Sequence, residues 1–244
     1  MTTKGAPARL PPLVMSVKRS TWRQHDPQRE ASDAAFARVR LDVLRRDGFT
    51  CRYCGFVAEG DPQARPGSLA ISGYLEVHHQ DDNHRNNRPG NLITVCPFCH
   101  KVFHVGNAGH RSAGHVTWFP WLKQNEINLF CNIAAVAIAR GGRFAPFGQS
   151  WFRWLTHMQA QAAQVYGDAL LDVSNLGMAL MAVAGAKSPG WTQRAQSLGA
   201  LRLIPRREVY EPAISWWSQH GWRPEPQWDA VLEEWNRTQS SAAR

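Results

Sequence analysis

Four of the five cysteines fall into two pairs with the same spacing. Cys51 and Cys54 enclose two residues, as do Cys96 and Cys99. A two-residue gap lets both thiolates of a pair reach one ion, and two such pairs complete the tetrahedron of a closed zinc site. The alternative is four ordinary core residues, but exposed CxxC turns make a poor core. We therefore predict a structural Zn²⁺ on these four cysteines, with Cys131 as a small core hydrophobe.

Histidines and an asparagine lie between and directly after these pairs. His78 and His79 are adjacent, Asn91 follows, and His100 comes directly after the last paired cysteine. A neutral imidazole binds metals, and its pKa near neutrality suits acid–base chemistry. His104 lies four residues after His100, on the same face of a helix, and is a further candidate ligand. The set can bind a second ion and activate water, or it can be the hydrogen-bonded scaffold of a reused fold.

Short elements must position these side chains. A helix capped by Ser32 or Asp33 and stopped by Gly48 precedes the first cysteine pair. The elements predicted after it are a strand at Ile71–Val77, a turn at Asn86–Asn91, a strand at Leu92–Val95 and a helix at Pro97–His104. Because the two cysteine pairs are far apart in the sequence, the metal must tie a whole subdomain together, and its binding free energy becomes folding free energy.

The remainder of the chain is predicted to be mainly helical and rich in tryptophan. A helix through Ile127–Ile138 is apolar on opposite faces, so it should be buried all round before Gly141 and Gly142 end it. A second helix, capped by Ser150, carries an apolar stripe from Trp151 to Val165. Further helices are predicted from Ser188-Pro189, at Arg207–His220 and at Asp229–Arg237.

Size and composition set the class of protein. The chain has 244 residues, of which 43% are hydrophobic, so its body can bury a core and is not intrinsically disordered. No apolar stretch approaches the ~20 residues that cross a bilayer, and no signal-peptide pattern is present, so we expect a cytoplasmic protein. The predicted domains are a flexible basic N-terminal arm (1–30), a zinc-binding domain (31–117) and a helical tryptophan-rich region (118–244).

The net charge of +9 is concentrated near the N-terminus. Residues 1–47 carry ten basic and five acidic side chains, whereas residues 48–117 carry six and five. The region that holds the cysteines and histidines is therefore almost neutral, although a protein that grips phosphates usually has a stronger basic footprint. Arg38, Arg45 and Arg46 on the first helix can meet phosphates or an acidic partner, or they can form a solvated helix face.

The order of strand, histidine pair, Asn-Leu, cysteine pair and helix histidine resembles the HNH (ββα-metal) nuclease family, as does VLRRDGFTCRYCG (43–55). The resemblance implies an α+β fold with a zinc-stabilised ββα core. It makes His78 and His100 ligands of a catalytic Mg²⁺ or another divalent ion, His79 the general base and Asn91 the residue that orients it. The implied activity is a DNA endonuclease. A nucleic-acid-binding zinc module without catalysis is a weaker alternative.

A longer resemblance covers both halves of the chain, from about residue 31 to about residue 217. Its blocks are FARVRLDVLRRDGFTCRYCGF, NNRPGNLITVCPFC, GHVTWFPWLKQNEINLFCNI and RAQSLGALRLIPRREVY. These are similar to the IcmJ (DotN) family of the Dot/Icm type IVB secretion system. The resemblance implies a cytoplasmic adaptor that binds the C-terminal tail of the coupling ATPase, joins other coupling-complex proteins and helps to gather effectors. It also implies recruitment to the inner membrane face through those partners.

Tryptophans near the end of the chain are candidate interface anchors, since large rigid aromatic side chains dominate binding hot spots. More often such residues belong to the core. The candidates are Trp216, Trp217, Trp222, Trp228 and Trp235.

Overall fold

The computed structural model describes residues 10–19, 25–65, 67–184 and 189–220, together with 230, 233 and 237. These residues form an α+β fold, as predicted, with two antiparallel two-stranded sheets set among helices. The strands are β1 (Glu76–His79), β2 (Leu92–Val95), β3 (Gly114–Trp118) and β4 (Leu201–Pro205). The α-helices are α1 (Arg29–Arg46), α2 (Pro97–Val102), α3 (Val105–His110), α4 (Gln124–Arg140), α5 (Ala145–Tyr166), α6 (Asp168–Leu171), α7 (Val173–Val183), α8 (Pro189–Thr192), α9 (Arg194–Leu198) and α10 (Glu211–His220).

The first helix is confirmed, but it does not begin where the sequence predicts. It starts at Arg29, three residues before the predicted cap, and Ser32 lies buried inside it. The Ser32 hydroxyl donates to the carbonyl of His84, so it ties the helix to a distant loop instead of capping it. Gly48 adopts a φ of 59°, the left-handed conformation expected after the helix.

The first sheet is a hairpin of β1 and β2 that is followed directly by α2. The strand predicted at Leu92–Val95 is confirmed, whereas the strand predicted at 71–77 is displaced towards the histidine pair. The hydroxyl of Ser68 caps a 3₁₀ helix at Leu69–Ser72, and Gly73 ends it with a φ of 56°. A Cβ at Gly73 would lie 2.2 Å from the carbonyl oxygen of Ala58, so only glycine fits this turn.

The second sheet was not predicted from the sequence. The stretch 106–115, rich in glycine and histidine, contains most of α3 and the start of β3, and β3 pairs with β4. The side chain of Gln124 reinforces this sheet, because its Nε2 donates to the carbonyl of Leu203 at 2.8 Å and its Oε1 accepts from the Leu203 amide at 2.9 Å. The sheet therefore joins the end of the cysteine region to the helical half.

Helix α4 is buried all round, as predicted, with every residue from Phe130 to Ala137 buried. Helix α5, which packs against it, starts at Ala145, so Ser150 lies within the helix and is not its cap. Val165 is 77% exposed, contrary to the predicted stripe, because it lies in the last turn of α5, where the helix no longer faces the core. The helix predicted at 207–220 is confirmed as a 3₁₀ turn followed by α10.

Residues 10–19, within the predicted flexible arm, pack against the rest of the protein. Leu13, Met15 and Val17 are buried, and the backbone of Ser16 pairs with Val102 and Val105. Alternate apolar side chains thus anchor an extended segment to the core. Residues 1–9 and 20–24, Ser188, and most of the helix predicted at 229–237 lie outside the described residues.

Buried side chains from both sides of the predicted boundary at 117/118 form one cluster, so the cysteine region and the helices share a core. None of the helices in the described ranges combines the length and the apolarity needed to cross a membrane.

Candidate metal centres

The four paired cysteines meet at one point. Their Sγ atoms all lie within 4.8 Å of one another, and those of Cys54 and Cys96 are 3.7 Å apart. A tetrahedron with metal–sulfur bonds of about 2.3 Å has edges of about 3.8 Å, so this spacing fits one bound ion. All four residues are buried. The predicted cluster is therefore present and has the geometry of a closed metal site.

The local backbone explains how each pair reaches the cluster. The first pair lies on a tight loop in which Gly55 has a φ of 75° and the Cys51 amide donates to the carbonyl of Phe56. The Arg52 amide donates to the carbonyl of Thr94 in β2, which fixes this loop to the hairpin. The second pair opens α2 directly after β2, so the hairpin carries it to the same place.

Helix α4 supplies hydrogen bonds to two of the sulfur atoms. Nδ2 of Asn128 donates to Sγ of Cys99 at 3.3 Å, and Nδ2 of Asn132 donates to Sγ of Cys96 at 3.4 Å. Both asparagines are fully buried. Sequence reasoning missed them, although two asparagines four residues apart in an apolar helix are a signal that polar groups face a common partner. The helical half thus completes the surroundings of the cysteine cluster.

Burial alone does not favour four thiolates. It is the largest influence that raises the pKa of the Cys54 and Cys99 thiols. For Cys51 burial acts in the same direction, but hydrogen bonds with the other three thiols outweigh it and lower the pKa. A cation is what would hold all four sulfur atoms as thiolates, because it replaces the solvation that burial removes.

Three histidines form a second cluster. The ring nitrogens of His78, His100 and His104 lie within 4.8 Å of one another. Glu76 and His78 lie two residues apart, on the same face of β1. His100 comes from α2, and His104 is the residue before α3. The candidate ligands predicted at His78, His100 and His104 are therefore brought together.

The electrostatics of this cluster favour a neutral imidazole at His78 and at His104. Burial, followed by repulsion from His100, lowers the pKa of His78 to about 2 and that of His104 to about 3. Neutral imidazole is the form that binds a metal. A carboxylate oxygen of Glu76 lies 2.5 Å from Nδ1 of His100, which leaves Nε2 of His100 for the cluster. Burial acts to raise the pKa of Glu76, but the charge and hydrogen bond of His100 lower it.

The predicted pairing of His79 with Asn91 is not formed. Nε2 of His79 is 2.9 Å from Oδ1 of Asn87, and its pKa is lowered mainly by burial. Asn91 instead donates to a carboxylate oxygen of Asp81 and to the carbonyl of Asn86, so it closes the loop between the strands. The sequence predicts Asn91 as the partner of His79, but the conformation of this loop brings Asn87 next to the ring instead.

His78 and His79 open into one cavity of about 670 Å³. Basic side chains in its wall are Lys18, Arg40, Lys101 and Arg111. The same wall contains the acidic side chains of Asp33, Glu76 and Asp82, and Lys18 pairs with Asp82. The cavity therefore carries charges of both signs, in keeping with the almost neutral stretch of sequence around it.

The tryptophans and arginines proposed as contact residues divide between core and surface. Trp217 is fully buried and donates to the carbonyl of Gly73, so it belongs to the core. Trp216 is half-buried and stacks on His220. Arg46 donates to the carbonyls of Pro89 and Leu92, a structural role, whereas Arg38 and Arg45 are exposed. Trp222, Trp228 and Trp235 lie outside the described residues.

Comparison with known proteins gives one informative similarity. The chain is 26% identical over 208 residues to the type 4 apparatus protein DotN of Legionella pneumophila subsp. pneumophila, strain Philadelphia 1. The match covers 84% of this chain and 89% of DotN, so it includes both the cysteine region and the helical half. No family model matches the chain.

Proposed function

We propose that this protein is a zinc-binding subunit of a type IVB (Dot/Icm) secretion system, where it binds the coupling ATPase and helps to deliver effector proteins. The observation that carries the proposal is the similarity to DotN, which extends over 84% of this chain. In this function the protein works in the cytoplasm and reaches the inner membrane face through its partners.

Packing around the cysteine cluster supports a function that needs both halves of the chain. The block GHVTWFPWLKQNEINLFCNI contains β3, Asn128 and Asn132, and the block RAQSLGALRLIPRREVY contains β4. These blocks pair with each other through the second sheet, and the first block also donates hydrogen bonds to two cysteine sulfurs. The metal therefore stabilises a scaffold that includes the helical half, as a protein-binding subunit requires.

Zinc is the ion that we propose for the cysteine cluster, because four thiolates in a closed tetrahedral site are its typical ligands. Elemental analysis of the purified protein is expected to find tightly held zinc. Absence of any tightly bound metal would contradict this assignment.

Binding of the coupling ATPase from the same genome is the direct test of the adaptor function. Zinc-loaded protein is expected to co-elute with the cytoplasmic part of the ATPase at physiological ionic strength. The matched control is the same ATPase without its C-terminal tail, which is expected not to bind. Failure of the intact ATPase to associate would overturn the proposal.

A second candidate function, a metal-dependent HNH endonuclease, is favoured by the histidine cluster. His78, His100 and His104 would hold a divalent ion such as Mg²⁺, which neutralises the charge of a scissile phosphate. His79 opens into the same cavity and would accept a proton from the attacking water. The exposed side chain of Arg111 at the opening would bind a flanking phosphate.

Nicking of supercoiled plasmid DNA in the presence of Mg²⁺ or Mn²⁺ tests this second candidate. Loss of His79 in the His79→Ala variant is expected to reduce the rate at least a hundredfold, or about 2.7 kcal/mol in activation free energy. The exposed His157 on α5 provides a matched control, His157→Ala, which should retain the full rate. An unchanged rate in His79→Ala would exclude His79 as the base.

A further inference from the structure

A groove crosses the surface where residues 10–19, the first cysteine loop and α9 meet. It consists of two cavities, of about 830 and 400 Å³. Their walls share Pro11, Pro12, Val14, Tyr53 and Ala195, so the two cavities are neighbouring parts of one groove. Its central part is therefore largely apolar.

One wall of the groove is an extended segment whose side chains point alternately into the core and into the groove. Leu13 and Met15 point into the core, which turns Val14 towards the groove. The opposite wall is held by Asn125, whose Nδ2 donates to the carbonyl of Tyr53 at 3.3 Å. The groove is thus formed before any ligand binds, which lowers the entropic cost of binding.

Positive side chains line both ends of the groove. The larger cavity includes Arg52, Lys123 and Arg202, and no acidic residue is among the described residues of its wall. The smaller cavity includes Arg19 and Arg194. Two aspartates also line this end, but the Asp82 carboxylate already accepts from the Arg19 amide. The charge of the groove is therefore predominantly positive.

The guanidinium groups at the smaller end are prepared for an anionic ligand. The Cζ atoms of Arg19 and Arg194 lie 5.0 and 4.1 Å from the centre of the Trp191 ring. Within the described part of the chain, neither guanidinium forms an ion pair with a carboxylate, and the buried Nε of Arg194 has no hydrogen-bond partner. Nε of Arg19 donates to the carbonyl of Ala184 and Nη1 of Arg194 to that of Trp191, and each guanidinium group keeps further N–H groups that could donate to a carboxylate of a ligand.

We propose that this groove docks a peptide segment of a partner protein that carries carboxylates on both sides of apolar side chains. Apolar side chains of the peptide fill the centre around Tyr53, and its carboxylates meet the basic ends. Residues 1–9 of this chain do not fit as the occupant, because they contain Lys4 and Arg9 and no acidic residue. The choice of partner rests on the proposed adaptor function, which makes the coupling ATPase the protein that supplies the segment.

Charge reversal at both ends of the groove tests this assignment with the cytoplasmic part of the ATPase as the probe. In Arg19→Glu/Lys123→Glu, two exposed cations are reversed, so the dissociation constant is expected to rise at least tenfold. The matched control, Arg29→Glu/Arg153→Glu, changes the net charge equally at exposed positions outside the groove and should bind within about twofold of wild type. Zinc content and thermal unfolding of both variants check that the fold is intact.

The outcomes separate the groove from the adaptor function. Equal affinity of the groove variant and wild type would overturn the groove assignment and leave the adaptor function standing. No binding by wild type would overturn both. Two further results would overturn the groove assignment. If the groove variant loses self-association, the occupant is a second copy of this chain. If it loses affinity for duplex DNA while its affinity for the ATPase is unchanged, the occupant is nucleic acid.

Discussion

The cysteine cluster and the histidine cluster are both sets of metal ligands, but their surroundings differ in kind. The cysteines are buried and receive amide N–H groups of Asn128 and Asn132, which suit negatively charged sulfur. The histidines open into a cavity, and a carboxylate oxygen of Glu76 lies at hydrogen-bonding distance from Nδ1 of His100. A closed site with all ligands from the protein is typical of a structural metal, and an open one leaves room for a ligand or substrate. One chain therefore combines a cluster with the geometry of a structural metal site and a cluster that is open to a cavity.

The largest effect should follow from breaking the closed site. Cys96→Ser removes one of four thiolates, and the binding free energy of a structural zinc is about 10 kcal/mol or more. That equals or exceeds the whole free energy of unfolding of most domains, so we expect residues 31–117, together with the core that they share with the helices, to lose their fold. Zinc content and thermal unfolding measure the loss.

Cys131 provides the matched control for this variant. It is fully buried in α4 but lies outside the cluster, and its sulfur accepts a hydrogen bond from Nε1 of Trp151. Burial raises the pKa of its thiol to about 12, so it stays neutral. Cys131→Ala should cost about 1–3 kcal/mol and keep its zinc. If Cys96→Ser unfolds at the same temperature as the wild-type protein, the cysteine cluster does not stabilise the fold.

The next effect concerns the hydrogen bonds that helix α4 makes to the closed site. Asn128→Leu keeps the number and branching of the side-chain heavy atoms but removes the N–H that points at Cys99. Outer partners of metal ligands typically contribute ten- to a hundredfold in affinity, so about 1.4–2.7 kcal/mol of zinc binding should be lost. Chelator competition measures this, with the exposed Asn175→Ala as control. Equal zinc affinity would mean that the cysteines alone determine the site.

These two sites show why part of the structure follows from the sequence and part does not. Each cysteine pair is local, so its spacing alone predicts a common ion. Asn128 comes from a helix far along the chain, and no local pattern connects it to Cys99. The pairing of β3 with β4 is similarly remote, so the second sheet was missed. The histidine ligands were found by order along the chain, yet the partner of His79 depends on the loop conformation and was predicted as Asn91 instead of Asn87.

A change of pH should distinguish the open site from the closed one. The pKa of His104 is about 3 in the folded protein and 6.5 in its ordinary state, so the unfolded chain binds a proton first as the pH falls. Stability is therefore lost below pH 6.5, by about 1.4 kcal/mol at pH 5.5 from this residue. His104→Gln removes that contribution. Urea unfolding of protein with its histidine site metal-free should show a weaker pH dependence in the variant.

Zinc release at low pH affects wild type and His104→Gln alike, so the difference between them isolates the imidazole. The same slope in both proteins between pH 7 and 5.5 would contradict the lowered pKa of His104.

The smallest change in stability, and the sharpest contrast between the sites, is expected for Glu76→Gln. The Glu76 side chain is 41% exposed, so loss of its ion pair with His100 should change the free energy of unfolding by no more than about 1 kcal/mol. Its effect should appear in metal binding, because a carboxylate on Nδ1 makes the imidazole a stronger ligand through Nε2. We expect the affinity of the histidine site for Mn²⁺ to fall about tenfold while the zinc content of the cysteine site is unchanged. Calorimetric titration measures the first and elemental analysis the second. Glu76→Asp should restore part of the affinity if the carboxylate charge is what matters, whereas a fall in zinc content with Glu76→Gln would show that the two sites are one coupled centre.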